Sequence, residues 1–238
     1  TYRTALLSEN GRSYTIWLQR ATLRYAVCLA AGIKASGGES IIAYGRGGAP
    51  DDGGEYYKFA STVSMYTHAL LSRITDKSGF YSKKDTLRLI EKIKEYSPDV
   101  IHLHNIHGYY LNVELLFEWI KNRPNMQVRW TLHDCWAMTG HCVHFERTQC
   151  NKWKSLCDTC PQKRDFPSSY LFDRSKRNFM LKRELLSQLD NLHITTVDGN
   201  VQQSTLHELH RMLPSKQNPP STHWRSTPLK LGMQRGKP

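Results

Sequence analysis

Helix-like and strand-like stretches alternate along this chain, and two of the strand-like ones, Glu39-Ser-Ile-Ile-Ala-Tyr44 and Asp99-Val-Ile-His-Leu-His104, are short and largely apolar. A strand of that composition has no polar face to offer solvent, so both of its faces must be covered. Covered strands alternating with helices specify an α/β fold, a Rossmann-like, doubly wound parallel sheet with helices above and below. In open sheets of this kind ligands bind beyond the carboxyl ends of the strands.

The punctuation agrees with that reading. A helical pattern runs from about Ala21 and stops at Gly37-Gly38. Ser82-Lys-Lys-Asp85 has the form of a capping box opening a helix, with Leu87, Ile90, Ile93 and Tyr96 on one face. Pro98 forces the exit into the apolar strand. Val113–Lys121 reads as a second amphipathic helix and Met126–Leu132 as a further strand. Lys176–Leu192, apolar at Phe179, Leu181, Leu185, Leu186 and Leu189, reads as a third helix before a strand at His193–Thr196. Residues 1–27 show no clean period and form a poorly defined N-terminal segment; residues 28–197 make the sheet domain. Residues 198–238 hold five of the ten prolines and six Lys/Arg against two Asp/Glu, the composition of a disordered basic tail.

With 39% hydrophobic and 23% charged residues the chain is globular, and no apolar run is long enough to span a bilayer. The start at Thr1 shows no basic-apolar leader, and six cysteines then point to a reducing, cytoplasmic setting in which they are thiols or metal ligands. Much of the +12 charge sits in one place: Arg147–Arg183 carries ten Lys/Arg against three Asp. Such a patch suits phosphates, anionic lipid or nucleic acid, and equally a plain solvated face.

Strand ends supply the functional residues. Asn105, His107 and Gly108 follow one strand, and His133 and Asp134 follow another. A histidine there serves as a base or donates to a phosphate or sugar hydroxyl, because its pKa lies near neutrality; the plainer role is bonding loop carbonyls. No nucleophile-elbow pattern is present, which disfavours covalent hydrolysis. Gly45-Arg-Gly-Gly48 lacks the Lys-Ser/Thr of a phosphate loop. Residues 135–161 form a Cys-rich loop in which Trp136 and Trp153 could stack on sugar rings or simply pack. Cys142, Cys150 and the Cys157-Asp-Thr-Cys160 knuckle make a set that could hold a structural zinc, with buried free thiols the competing reading. Two further classes stay open: a zinc-stabilised basic nucleic-acid-binding module and, less favoured, a thiol oxidoreductase.

Four ordered motifs, GESIIAYGRG at 38–47, PDVIHLHNIHGYY at 98–110, WTLHDCWAMTGHC at 130–142 and CDTCPQK at 157–163, followed by Asp173-Arg-Ser-Lys176, resemble a bacterial glycosyltransferase family. Its members have the GT-B fold and retaining chemistry and build capsular, exopolysaccharide or colanic-acid-type chains. The resemblance covers roughly residues 28–196. It implies that this chain is the N-terminal, acceptor-binding half of such an enzyme, with no metal needed for transfer. It places His133 beside the transferred sugar as the catalytic residue, in an electrostatic role. It assigns Asn105, His107 and Gly108, with Asp134, Trp136 and Gly140, to substrate binding. The partners it implies are a nucleotide-sugar donor and a saccharide or lipid-linked acceptor, with peripheral contact at the inner membrane face and no nucleic acid. The chain departs from the family at both ends: residues 1–27 show no clear strand and glycine-rich loop, and Val197-Asp-Gly-Asn200 stands where the second domain would follow. These departures raise the expectation of a truncated or frame-shifted gene, with the donor site absent and the isolated chain inactive.

Overall fold

A computed structural model describes residues 12–17 and 20–196. Six strands form one sheet: β1 (Arg12–Trp17), β2 (Glu39–Tyr44), β3 (Glu55–Lys58), β4 (Val100–Leu103), β5 (Gln127–Leu132) and β6 (Leu192–Thr196). Their spatial order is β3-β2-β1-β4-β5-β6 and every neighbouring pair is parallel. The chain therefore winds outward from β1 in one direction, then returns to β4 and winds outward in the other. The reversal lies between β1 and β4, where a doubly wound sheet opens its ligand crevice.

Five helices join the strands: α1 (Arg20–Ala35), α2 (Thr62–Thr75), α3 (Lys83–Tyr96), α4 (Val113–Lys121) and α5 (Ser175–Ser187). α1 packs on the sheet face that carries Ile42 and Tyr44. The opposite face, with Ile41, Ala43, Ile101, Leu103, Val128 and Trp130, meets Leu89 and Ile93 of α3, Leu116 and Phe117 of α4, and Phe179 and Leu185 of α5. Burying a Leu, Ile or Phe side chain of this core contributes roughly 1.5–3 kcal/mol. All four residues of β4 are buried, as a central strand requires, whereas β5 alternates, with Val128, Trp130 and Leu132 buried and Arg129 and Thr131 half-buried.

Several sequence expectations hold closely. α4 occupies the expected residues, and α1 ends where Gly37 and Gly38 donate their N–H groups to the Lys34 and Ile33 carbonyls, both at 3.0 Å. Others need correcting. β1 lies inside the segment 1–27 that showed no period, because Arg-Ser-Tyr-Thr-Ile-Trp mixes polar and aromatic residues on a strand set at the centre of the sheet. β3 and α2 were not anticipated. Ser82 does not cap α3 through its side chain; it sits at φ 58° and its hydroxyl meets His68 Nδ1 at 2.8 Å. The buried face of α3 uses Leu89, Ile90 and Ile93, while Leu87 is exposed. The tail expected at 198–238 lies outside the described residues.

Candidate functional site

β4 and β5 are neighbours in register, Leu103 beside Trp130, so the residues that follow them leave the sheet at the same edge. His104 Nδ1 and His133 Nε2 lie 2.9 Å apart, and His107 Nε2 lies 3.2 Å from Asp134 Oδ2. Two independent contacts thus tie the β4 exit to the β5 exit on the rim beside the strand-order reversal. From α1, Tyr25 sets its ring edge-on to His133 at 5.5 Å. His102 extends the group inward, stacked on His104 at 4.5 Å and bonded through Nε2 to Thr131 Oγ1 at 2.7 Å.

Burial sets the protonation of this group. Burial holds His102 down at about 4, helped by the charges of Arg129 and His133, and holds His104 well below its ordinary value. His133 is also lowered by burial, against a pull from Asp134. Burial pushes Asp134 upward, but the charge and hydrogen bond of His107 and the Trp136 N–H outweigh it, leaving the carboxyl below the usual range. At neutral pH the rim therefore offers the uncharged imidazoles of His102, His104 and His133 and one carboxylate. Each neutral imidazole has one donor and one acceptor nitrogen, and a carboxylate only accepts, which together suit vicinal hydroxyls.

Not every residue expected at the site is open to a ligand. His133 is half-buried and the Asp134 side chain is 15% exposed, but Asn105, His107 and Gly108 are buried. Trp136, 2% exposed, is stacked on His107 at 5.1 Å and covered by Lys182 Nζ at 3.8 Å, so it packs the floor of the rim and offers no sugar platform. Trp153 is likewise buried, stacked on Phe145 at 4.7 Å. A Cβ on Gly108 would overlap the Tyr110 ring, and one on Gly45 would overlap the same ring. The buried Tyr110 is therefore clamped between the turns that leave β2 and β4, and its hydroxyl donates to the Asn105 carbonyl. Gly140 has a packing role too, since a Cβ there would strike the Ser175 carbonyl at the start of α5.

The loop between β5 and α5 brings Cys142, Cys150, Cys157 and Cys160 to the lining of one small cavity. All are free thiols, and among the described residues no set of three or more Cys, His, Asp or Glu side chains is arranged to hold a metal ion. A hydrogen bond from Cys160 lowers Cys142, and the same contact and burial raise Cys160. Lys182, buried beside this cluster, donates to the Trp136 carbonyl at 2.5 Å and is pushed down to about 7 by desolvation.

Sequence reasoning passed over His104, Tyr25, Lys182 and a buried junction at Asp76. His104 carried a signal, alternating with His102 on a strand. Tyr25, Lys182 and Asp76 carried none, because their partners are distant in the chain. Asp76 accepts from His141 Nδ1 and, at 2.7 Å, from the Arg174 N–H, while its own carbonyl accepts from Asn178 at 2.6 Å.

No protein-family model and no solved structure matches the chain. A curated protein of Escherichia coli (strain K12), "Putative colanic acid biosynthesis glycosyl transferase WcaC", is 28% identical over 157 residues, which is 63% of this chain and 38% of that protein. This chain thus spans about two fifths of the relative's length. The match does not favour the nucleic-acid alternative, and among the described residues no helix is long and apolar enough to cross a membrane. Over the matched stretch, the chain is similar to this colanic acid biosynthesis glycosyl transferase.

Proposed function

We propose that this chain is the acceptor-binding domain of a retaining, GT-B-type glycosyltransferase that extends a cell-envelope polysaccharide or a lipid-linked saccharide. The observation that carries the reading is the joining of His104 to His133 and of His107 to Asp134 on one rim beside the strand-order reversal. In this role His133 hydrogen-bonds a sugar hydroxyl near the transferred group, and Asp134 accepts from a neighbouring hydroxyl. His107 and His104 act as positioning residues, each fixing one of those two side chains. In this reading, stabilising the charge on the departing nucleotide diphosphate falls to a second domain.

The test is saccharide binding and turnover. The purified chain binds an acceptor oligosaccharide in saturation-transfer NMR, and His133→Ala weakens that binding about tenfold, the loss of one to two hydrogen bonds. The chain alone gives no sugar transfer from nucleotide-sugar donors. Unchanged affinity in His133→Ala removes the site, and turnover by the isolated chain overturns the division of labour.

A further inference from the structure

The stretch that joins β5 to α5 has no regular structure beyond two short 3-10 turns, Phe145–Thr148 and Lys152–Lys154, yet it holds five of the six cysteines. Four of them, Cys142, Cys150, Cys157 and Cys160, line one cavity walled by Phe145 and Trp153. All four are free thiols. Two of the four are already paired: the Cys160 thiol donates a hydrogen bond to the Cys142 sulfur. Thiols in hydrogen-bond contact point at one another, the orientation that a disulfide demands.

Both cysteines are anchored at the same place, the start of α5. Cys160 gives its N–H to Asp173 Oδ2 at 2.9 Å, and the other oxygen of Asp173 takes the Ser175 N–H at 3.0 Å and the Ser175 hydroxyl at 2.6 Å. On the other side His141, next to Cys142, is tied through Nδ1 to Asp76, which also takes the Arg174 N–H at 2.7 Å. The fold therefore presents the two sulfurs together. The cavity also selects what can reach them. It has a free volume of about 10 Å³, room for one water-sized guest. His141, 2% exposed, lines it and has an Nε2 with no hydrogen-bond partner. A small guest rich in oxygen satisfies that nitrogen, whereas a bulky disulfide such as oxidised glutathione does not fit. Among oxidants of thiols, hydrogen peroxide comes nearest to that size.

We propose that Cys142 and Cys160 are a peroxide-sensitive pair, converted by hydrogen peroxide to a disulfide that closes the Cys-rich loop across its base. The Cys142 sulfur attacks one peroxide oxygen and the O–O bond breaks. The departing hydroxide takes the Cys142 proton and leaves as water, and Cys142 becomes a sulfenic acid. Cys160 then attacks that sulfur, the S–O bond breaks, and the hydroxyl leaves as a second water with the Cys160 proton. Two thiols are oxidised to one disulfide and one peroxide is reduced to two waters.

Disulfide mapping of the full chain tests the proposal. Brief treatment with hydrogen peroxide should remove two of the six thiols and lower the mass by two hydrogens. Digestion without reductant should then yield the Cys142 peptide joined to the Cys160 peptide, and dithiothreitol should separate them. Cys160→Ser should stop at a sulfenic acid on Cys142 that dimedone captures, and Cys142→Ser should give neither link nor adduct. Cys28→Ser, at an exposed position on α1, should leave the reaction unchanged. A link between Cys157 and Cys160 overturns the proposal, as does oxidation of Cys28 ahead of the pair. Stoichiometric zinc that stays with the untreated chain and blocks the oxidation overturns it too, and oxidised glutathione reacting as fast as peroxide overturns the choice of oxidant. Mapping on the wild-type chain decides the matter even where a variant fails to fold. No saccharide enters any of these readouts, so the pair and the proposed function stand or fall separately.

Discussion

Asp134 shows how a single side chain connects folding to the site. Its carboxylate takes the Trp136 N–H at 2.9 Å through one oxygen and faces His107 through the other. Its folded pKa lies below the unfolded value of about 3.9. The contribution to stability is therefore complete above that value and is lost as pH falls through the folded one. Asp134→Asn should cost about 1–3 kcal/mol at pH 7 in urea denaturation. The gap to wild type should close below about pH 4, where the native carboxyl also takes a proton. A gap that persists unchanged into acid would mean that shape, not charge, makes Asp134 matter. The His133-Asp134 pair was legible from sequence because it ends a strand. The burial of Trp136 was not, since the ring that covers it comes from His107 and the cation over it from Lys182, 46 residues away.

At the scale of elements, what could be read was whatever depended on neighbours in sequence. The apolar period of α4 and the glycines that end α1 gave boundaries close to those observed. The cap of α3 failed because the Ser82 hydroxyl is taken by His68 of α2, a contact no local pattern encodes. β1 failed for a related reason: a strand flanked on both sides by other strands can carry mixed residues when its neighbours supply the pairing. The Cys-rich loop illustrates the same limit, with Gly140 placed by the first turn of α5. Gly140→Ala should force apart the loop and Ser175, a backbone contact that cannot yield as a flexible side chain would. Overpacking of this kind costs typically 1–3 kcal/mol. A lower melting temperature, with faster exchange of loop amides, would bear it out; an unchanged melt would show that the loop is not seated on α5.

The whole molecule carries several histidines that folding keeps neutral. Burial depresses His68 to about 3, and burial with neighbouring charge depresses His102 to about 4. His68 Nε2 accepts the Gly79 N–H at 3.1 Å, so a proton there would also break a bond. The unfolded chain protonates these groups near 6.5, hence it binds more protons than the native state below that pH, and stability falls as pH falls. Between pH 6.5 and 5 each of the two should cost about 2 kcal/mol, a large part of the 5–15 kcal/mol that holds an ordinary domain together. Thermal melts at pH 7.5 and 5 should differ markedly, and since His104 is depressed as well, His68→Gln should remove roughly a third of the difference. Equal melts would show that these histidines are charged when folded.

The junction at Asp76 has a mechanical corollary. One carboxylate and one carbonyl pin the last turn of α2 to His141 in the cysteine loop and to Arg174 and Asn178 at the start of α5. Close-packed, hydrogen-bonded parts move as one rigid piece. A force that tilts α2 from outside must therefore turn the loop behind Trp136 with it, a lever reaching from the protein's outer flank to the floor beneath His107.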